Sequence, residues 1–222
     1  MNPTIEELHQ PEKFELIEAL HVDQMGQFLM REIGMSGTKA GTKPKMNWVG
    51  IGAAMALGGV CGFIGYKFGA NLATGGILDY NPGVQLGAAL LLMFVVLLPV
   101  HEAIHMVVFK QLGAKNVGFG WSKKSFIVYA YAQKFVMTLQ QNAYVAIMPF
   151  VVISLALAIG WLVAPQWSFF WGCALFLHTT GCVGDFILIR YYFKNKPNTL
   201  YTYDDIEGKK MSYFFVAKKQ MS

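Results

Sequence analysis

Charge is the scarcest commodity in this sequence. Only 14% of the 222 residues are charged, where a soluble domain carries nearer a quarter. With 55% hydrophobic residues and a mean hydropathy of +0.40, that shortage argues against a water-soluble domain and for a lipid bilayer. Also missing is any basic cluster interleaved with polar recognition residues. The net charge of +5 therefore gives no argument for nucleic acid, and the Lys and Arg residues beside apolar segments read as topology signals. Cysteine is sparse: Cys61, Cys173 and Cys182 lie in apolar stretches without a C-x-x-C pair. They read as small buried hydrophobes rather than disulfides or zinc ligands. No cleavable signal peptide is expected, because residues 1–34 are polar and acidic where a signal is basic and then apolar.

What is present is long apolar runs. Four segments, roughly 47–66, 85–109, 142–164 and 168–190, are long enough to span a bilayer, which takes about 20 residues. Gly58, Gly62, Gly65 and Gly69 permit close helix packing around the first. The short turn at 164–168 predicts that the third and fourth spans form an antiparallel hairpin. Seventeen of the 18 Lys and Arg residues fall on one side of this four-span arrangement, Lys67 being the exception. The positive-inside rule makes that side the cytoplasm, with both termini inside.

The expected organisation has three parts: a cytosolic amphipathic helical region with linker (1–46), a four-span membrane domain (47–190) and a cytosolic tail (191–222). Helical spacing of Phe14, Ile17, Leu20, Met25, Phe28, Leu29 and Ile33 supports the first. Two β-prone runs around Ser122–Lys124 predict a hairpin over 116–132, and 199–216 reads as a second hairpin. The predicted fold class is thus an α-helical integral membrane protein with small β elements on the cytoplasmic side.

Chemistry enters at "LLPVHEAIHMVVFK", residues 97–110. The preceding stretch from Gln85 to Val100 holds no charge. On a helix, residues four apart point the same way, about 6 Å apart in height. His101 and His105 can therefore share one metal ion, and Glu102 beside them can take a proton from metal-activated water. That is the H-E-x-x-H arrangement. An ionisable group in mid-span costs about 2.5–3.5 kcal/mol or more, so three in five residues call for a compensating partner, and a metal is one. The competing reading is a pair of hydrogen-bonded core histidines with Glu102 protonated or paired.

A catalytic zinc usually has three protein ligands and one open position. His105 and Asp185 each lie five residues before the cytoplasmic end of a span, about 7.5 Å deep. Asp185 is the acid of the fourth span and the expected third ligand; the alternative is a carboxylate paired with Arg190 or Lys194. His178 is two turns further from the cytoplasm, a depth suited to a hydrogen-bonded core histidine or a substrate contact. Asn142 is a candidate oxyanion donor, but reads first as a helix-boundary residue. Pro99 and Pro149 each predict a kink.

With these residues placed, the chain resembles a site-2-protease-type intramembrane metalloprotease, and most of all the small bacterial membrane proteins grouped as "putative zincin peptidase". The resemblance covers roughly 85–190, carried by "HEAIH" and "GCVGDF". It implies a three-helix catalytic core, Zn²⁺ on His101, His105 and Asp185, and Glu102 as general base. It also implies a membrane-anchored or membrane-proximal protein substrate, a bacterial cytoplasmic membrane location and an edge strand in 116–132 that binds an extended peptide. Gly184-Asp185-Phe186 departs from the Asn-Pro-x-x-Asp-Gly-like setting usual in site-2 proteases. Two other functional classes stay open on sequence alone, a metal-ion transporter and a non-catalytic zinc scaffold. Oligomeric state is not legible.

Overall fold

The computed structural model describes residues 2–32, 34, 82–122, 127–196 and 198–218. The expected first span at 47–66, its glycines, the linker and Cys61 lie outside the described residues. In chain order the elements are α1 (Ile5–Leu8), β1 (Phe14–His21), α2 (Met25–Glu32), α3 (Pro82–Leu92), α4 (Leu98–Gln111), β2 (Val117–Ser122), β3 (Ile127–Ala132), β4 (Met137–Thr138), α5 (Leu139–Val163), α6 (Ser168–Gly181), α7 (Val183–Asn195), β5 (Leu200–Asp205) and β6 (Met211–Ala217).

Two helices among the described residues are long and apolar enough to cross a membrane, Pro82–Gln111 and Leu139–Val163. A third is counted if Pro165–Gly181 and Val183–Asn195, bent by 49°, form one broken span. Leu91, Phe94, Leu155 and Leu162 are exposed on the first two helices, as lipid-facing side chains would be. The first helix is not uniform. Met93–Leu97 forms a π turn in which the Leu98 N–H reaches back to the Met93 carbonyl. Pro99 lies just beyond it; its ring crowds the carbonyl four residues back and offers no N–H, and a widened turn absorbs that conflict.

The contacts divide the chain into two compact units. One comprises Met1–Thr38, Glu102–Pro149 and Gly184–Ser222, the other Lys39–His101 and Phe150–Val183. In the first, β5 and β6 form the expected tail hairpin, but within a four-stranded sheet of order β1-β6-β5-β4. This corrects the reading of residues 1–34 as helical. Phe14–His21 is a strand antiparallel to β6, with Ile17 bulged out between Leu16 and Glu18. Helical spacing holds at Met25–Glu32, but at 14–21 the open edge of β6 offers a ladder of backbone partners, and pairing overrides local pattern. Leu20, Phe28, Leu139, Tyr191, Leu200 and Phe214 close one core over this sheet. A second core joins Val108 and Phe109 of α4 to Ala132, Met137 and Val145.

The hairpin expected over 116–132 is the β2–β3 pair. Phe119 and Trp121 are exposed on one face. On the other, Tyr131 and Tyr129 lie across Gly118 and Gly120, where a Cβ would collide with the facing tyrosine. The start of α5 is set by a capping box. The Gln141 N–H donates to Thr138 Oγ1 at 3.1 Å, and the Thr138 N–H donates to Gln141 Oε1 at 2.9 Å. Thr138, not Asn142, is the boundary residue.

In the second unit α3 packs on α6, and the Phe170 N–H donates to Gln85 Oε1 at 3.0 Å. That bond explains why an amide side chain is tolerated at a buried helix position.

One titratable group in the sheet has a measurable consequence. Burial pushes the Asp204 carboxyl from 3.8 up to about 6, against the opposing effect of the Ser212 hydroxyl, which donates to Oδ1. The folded state holds this proton more tightly than the unfolded state. Its stabilising contribution is therefore complete below about pH 3.8 and is lost as pH rises through about 6. Asp204→Asn keeps the acceptor for Ser212 and removes the charge. It should raise stability at pH 8 by about 2–3 kcal/mol and flatten this part of the pH dependence, read as thermal midpoints at pH 5 and pH 8.

Candidate metal centre

The site is assembled from three helices. His101, Glu102 and His105 lie on α4, Val145 on α5 and Asp185 in the first turn of α7. All three α4 side chains are buried, at 8%, 5% and 8% exposure.

His105 is held at both ring nitrogens. Nδ1 lies 3.1 Å from the Val145 carbonyl. A carbonyl only accepts, so Nδ1 carries the proton, and in the neutral ring Nε2 keeps its lone pair. Nε2 faces Asp185 Oδ1 at 3.5 Å. The Val145 carbonyl is available for a reason written in the sequence. It stands four residues before Pro149, which lies inside the same helix and has no N–H to occupy it. The kink residue thus supplies the acceptor that fixes the histidine tautomer. Pro149→Ala restores a competing N–H, and metal affinity should fall about 10-fold, as when an outer partner of a ligating histidine is lost. Zinc titration against a competing chelator checks this.

His101 stands one helical turn before His105 on α4, which sets both imidazoles on one face of that helix. Zinc bonds of about 2.0–2.1 Å at tetrahedral angles place neighbouring N and O ligand atoms about 3.3 Å apart. The 3.5 Å His105–Asp185 separation fits one ion held between them, and two imidazoles with a carboxylate are a donor set suited to zinc. Of the two cations that the sequence offers Asp185, Arg190 and Lys194, the second donates from Nζ to Glu32 Oε2 at 2.9 Å.

Glu102 follows His101 directly on α4. Its Oε2 accepts the Ala130 backbone N–H at 2.6 Å. Ala130 lies opposite Phe119 in the hairpin, so with its N–H turned to Glu102, β3 faces the carboxylate with its outer edge. Sequence gave no signal for this bond, because it joins a helix to a strand 28 residues away.

Residues 94–201 match a family model described as "Putative zincin peptidase". The match supports a zinc peptidase family, and it spans His101, Glu102, His105 and Asp185 together. No curated protein and no solved structure gives a match.

The weaker sequence candidates fall differently. Asn142 is half-buried in the first turns of α5. His178 is fully buried, with its ring edge-on to His101 at 5.8 Å between centroids. Cys182 was expected to be a mere apolar filler, yet its Sγ lies 3.9 Å from His101 Nδ1 and 3.6 Å from His178 Nε2. A signal was there to find: "HTTGC" sets His178 and Cys182 four apart, the spacing that singled out His101 and His105.

Proposed function

We propose that this protein is an intramembrane zinc metallopeptidase, with His101, His105 and Asp185 as ligands and Glu102 as general base. The observation that carries this reading is the approach of Asp185 to His105 beside an H-E-x-x-H helix turn, inside apolar helices. Zinc held there supplies Lewis acidity, bringing the pKa of water toward about 7 and polarising a peptide carbonyl.

The chain's own residues do the rest. The Val145 carbonyl sets the tautomer of His105, so that Nε2 faces the ion. The Ala130 N–H aims the Glu102 carboxylate. Glu102 takes the proton of the attacking water on a carboxylate oxygen and passes it to the amine leaving group as the C–N bond breaks. An extended substrate segment adds to the outer edge of β3 by backbone hydrogen bonds, which carries its peptide bonds past Glu102.

The substrates are membrane-anchored or membrane-proximal proteins, cut near the cytoplasmic face of a bacterial cytoplasmic membrane, with both termini of the chain on that face. The test is hydrolysis of a membrane-anchored reporter with an extended juxtamembrane segment, by zinc-loaded protein in proteoliposomes. Cleavage should require zinc and Glu102. Zinc flux across the same vesicles without cleavage would instead favour a transporter and overturn the peptidase reading.

A further inference from the structure

A second group of ligand atoms lies within the unit formed by Lys39–His101 and Phe150–Val183. His101, His178 and Cys182 offer ligand atoms within 4.8 Å of one another. His178 and Cys182 are both 0% exposed and His101 is 8% exposed. The Cys182 N–H bonds to the carbonyls of His178 and Thr179, closing the last turn of α6 so that thiol and imidazole stand four residues apart on it. The Phe150 ring lies parallel to the His178 ring, 6.3 Å between centroids, which restricts its rotation.

The distances carry the argument. A tetrahedral ion with Zn–S of about 2.3 Å and Zn–N of about 2.0–2.1 Å sets S and N about 3.5 Å apart. Here Sγ is 3.6 Å from one imidazole nitrogen and 3.9 Å from the other. A thiol donates to one of these nitrogens while its sulfur accepts from the other; a metal would draw both nitrogens toward the sulfur together.

We propose that His101 Nδ1, His178 Nε2 and Cys182 Sγ form a second, thiolate-containing metal position that takes soft or borderline ions such as Zn²⁺, Cd²⁺ or Cu⁺. Binding releases the thiol proton to solvent and forms the metal–sulfur bond. This position shares only His101 with the first and contains no carboxylate. It does not rest on the peptidase reading, since these side chains would bind metal in a chain that cut nothing.

The test uses the purified full chain in detergent, stripped with a chelator and titrated anaerobically with Co²⁺ alone. A near-ultraviolet thiolate-to-cobalt charge-transfer band is expected, since a position built only from imidazole and carboxylate gives none. The band should persist in His105→Ala, in Asp185→Asn and in the Cys61→Ser/Cys173→Ser double variant. It should vanish in Cys182→Ser, and the affinity that it reports should drop about 10-fold or more in His178→Asn. No band in the wild type, or a band that survives Cys182→Ser, overturns the proposal. If Cys182→Ser loses its helical circular dichroism, His178→Asn decides: unchanged affinity overturns the site and weakened affinity supports it. Failure of reporter cleavage leaves this band in place, and absence of the band leaves the cleavage experiment intact, so the two readings fail separately.

Discussion

Glu102→Gln should retain zinc and lose about 10²- to 10⁴-fold in the rate of peptide hydrolysis. The substitution is nearly isosteric, and the amide oxygen can still accept the Ala130 N–H that holds Glu102 Oε2 at 2.6 Å. What disappears is a group able to take a proton from water and return it to the leaving amine. Metal content, measured by elemental analysis on purified protein, should stay at the wild-type level. That separates loss of the base from loss of the site. Cleavage at the wild-type rate by this variant would remove Glu102 from the mechanism.

His105→Ala should abolish zinc binding at the His101–His105–Asp185 position, and with it activity. Its Nε2 lies 3.5 Å from Asp185 Oδ1, and its Nδ1 ties α4 to the Val145 carbonyl of α5. Removing the ring leaves two of three ligands and a half-buried carboxylate without its imidazole neighbour. Zinc retained after dialysis should fall by one ion per chain, and any zinc that remains should depend on Cys182. Asp185→Asn should also weaken binding but leave the His105–Val145 bond in place, so that its thermal stability without metal should exceed that of His105→Ala. A His105→Ala protein holding one zinc as tightly as wild type, with no thiolate signal, would show that the ion sits elsewhere.

Much of this molecule is legible in the order of its residues, and the reason is locality. Apolar runs of about 20 residues mark candidate spans because no other composition tolerates hydrocarbon. Residues 116–132 read as a hairpin because two β-prone runs flank the polar Ser122–Lys124. His101 and His105 share a helix face because 3.6 residues make a turn. Where the reading failed, a distant partner decided. Phe14–His21 carries a pattern that a helix could also use, and it became a strand because β6, some 195 residues later, presents a matching edge. The fourth apolar segment reads as one helix yet is interrupted at Cys182.

The sequence by itself determined that apolar helices carry an acid and two imidazoles at metal-binding spacing, because helical geometry converts spacing into direction. Only the tertiary structure decided what those groups meet. Asp185 faces His105, the carbonyl left open by Pro149 takes the Nδ1 proton, the β3 backbone holds Glu102, and Cys182 joins His178 at His101. Each of these meetings joins separate elements of the chain, except the one turn from His178 to Cys182. Packing against particular neighbours fixes such distances, and no local period records them.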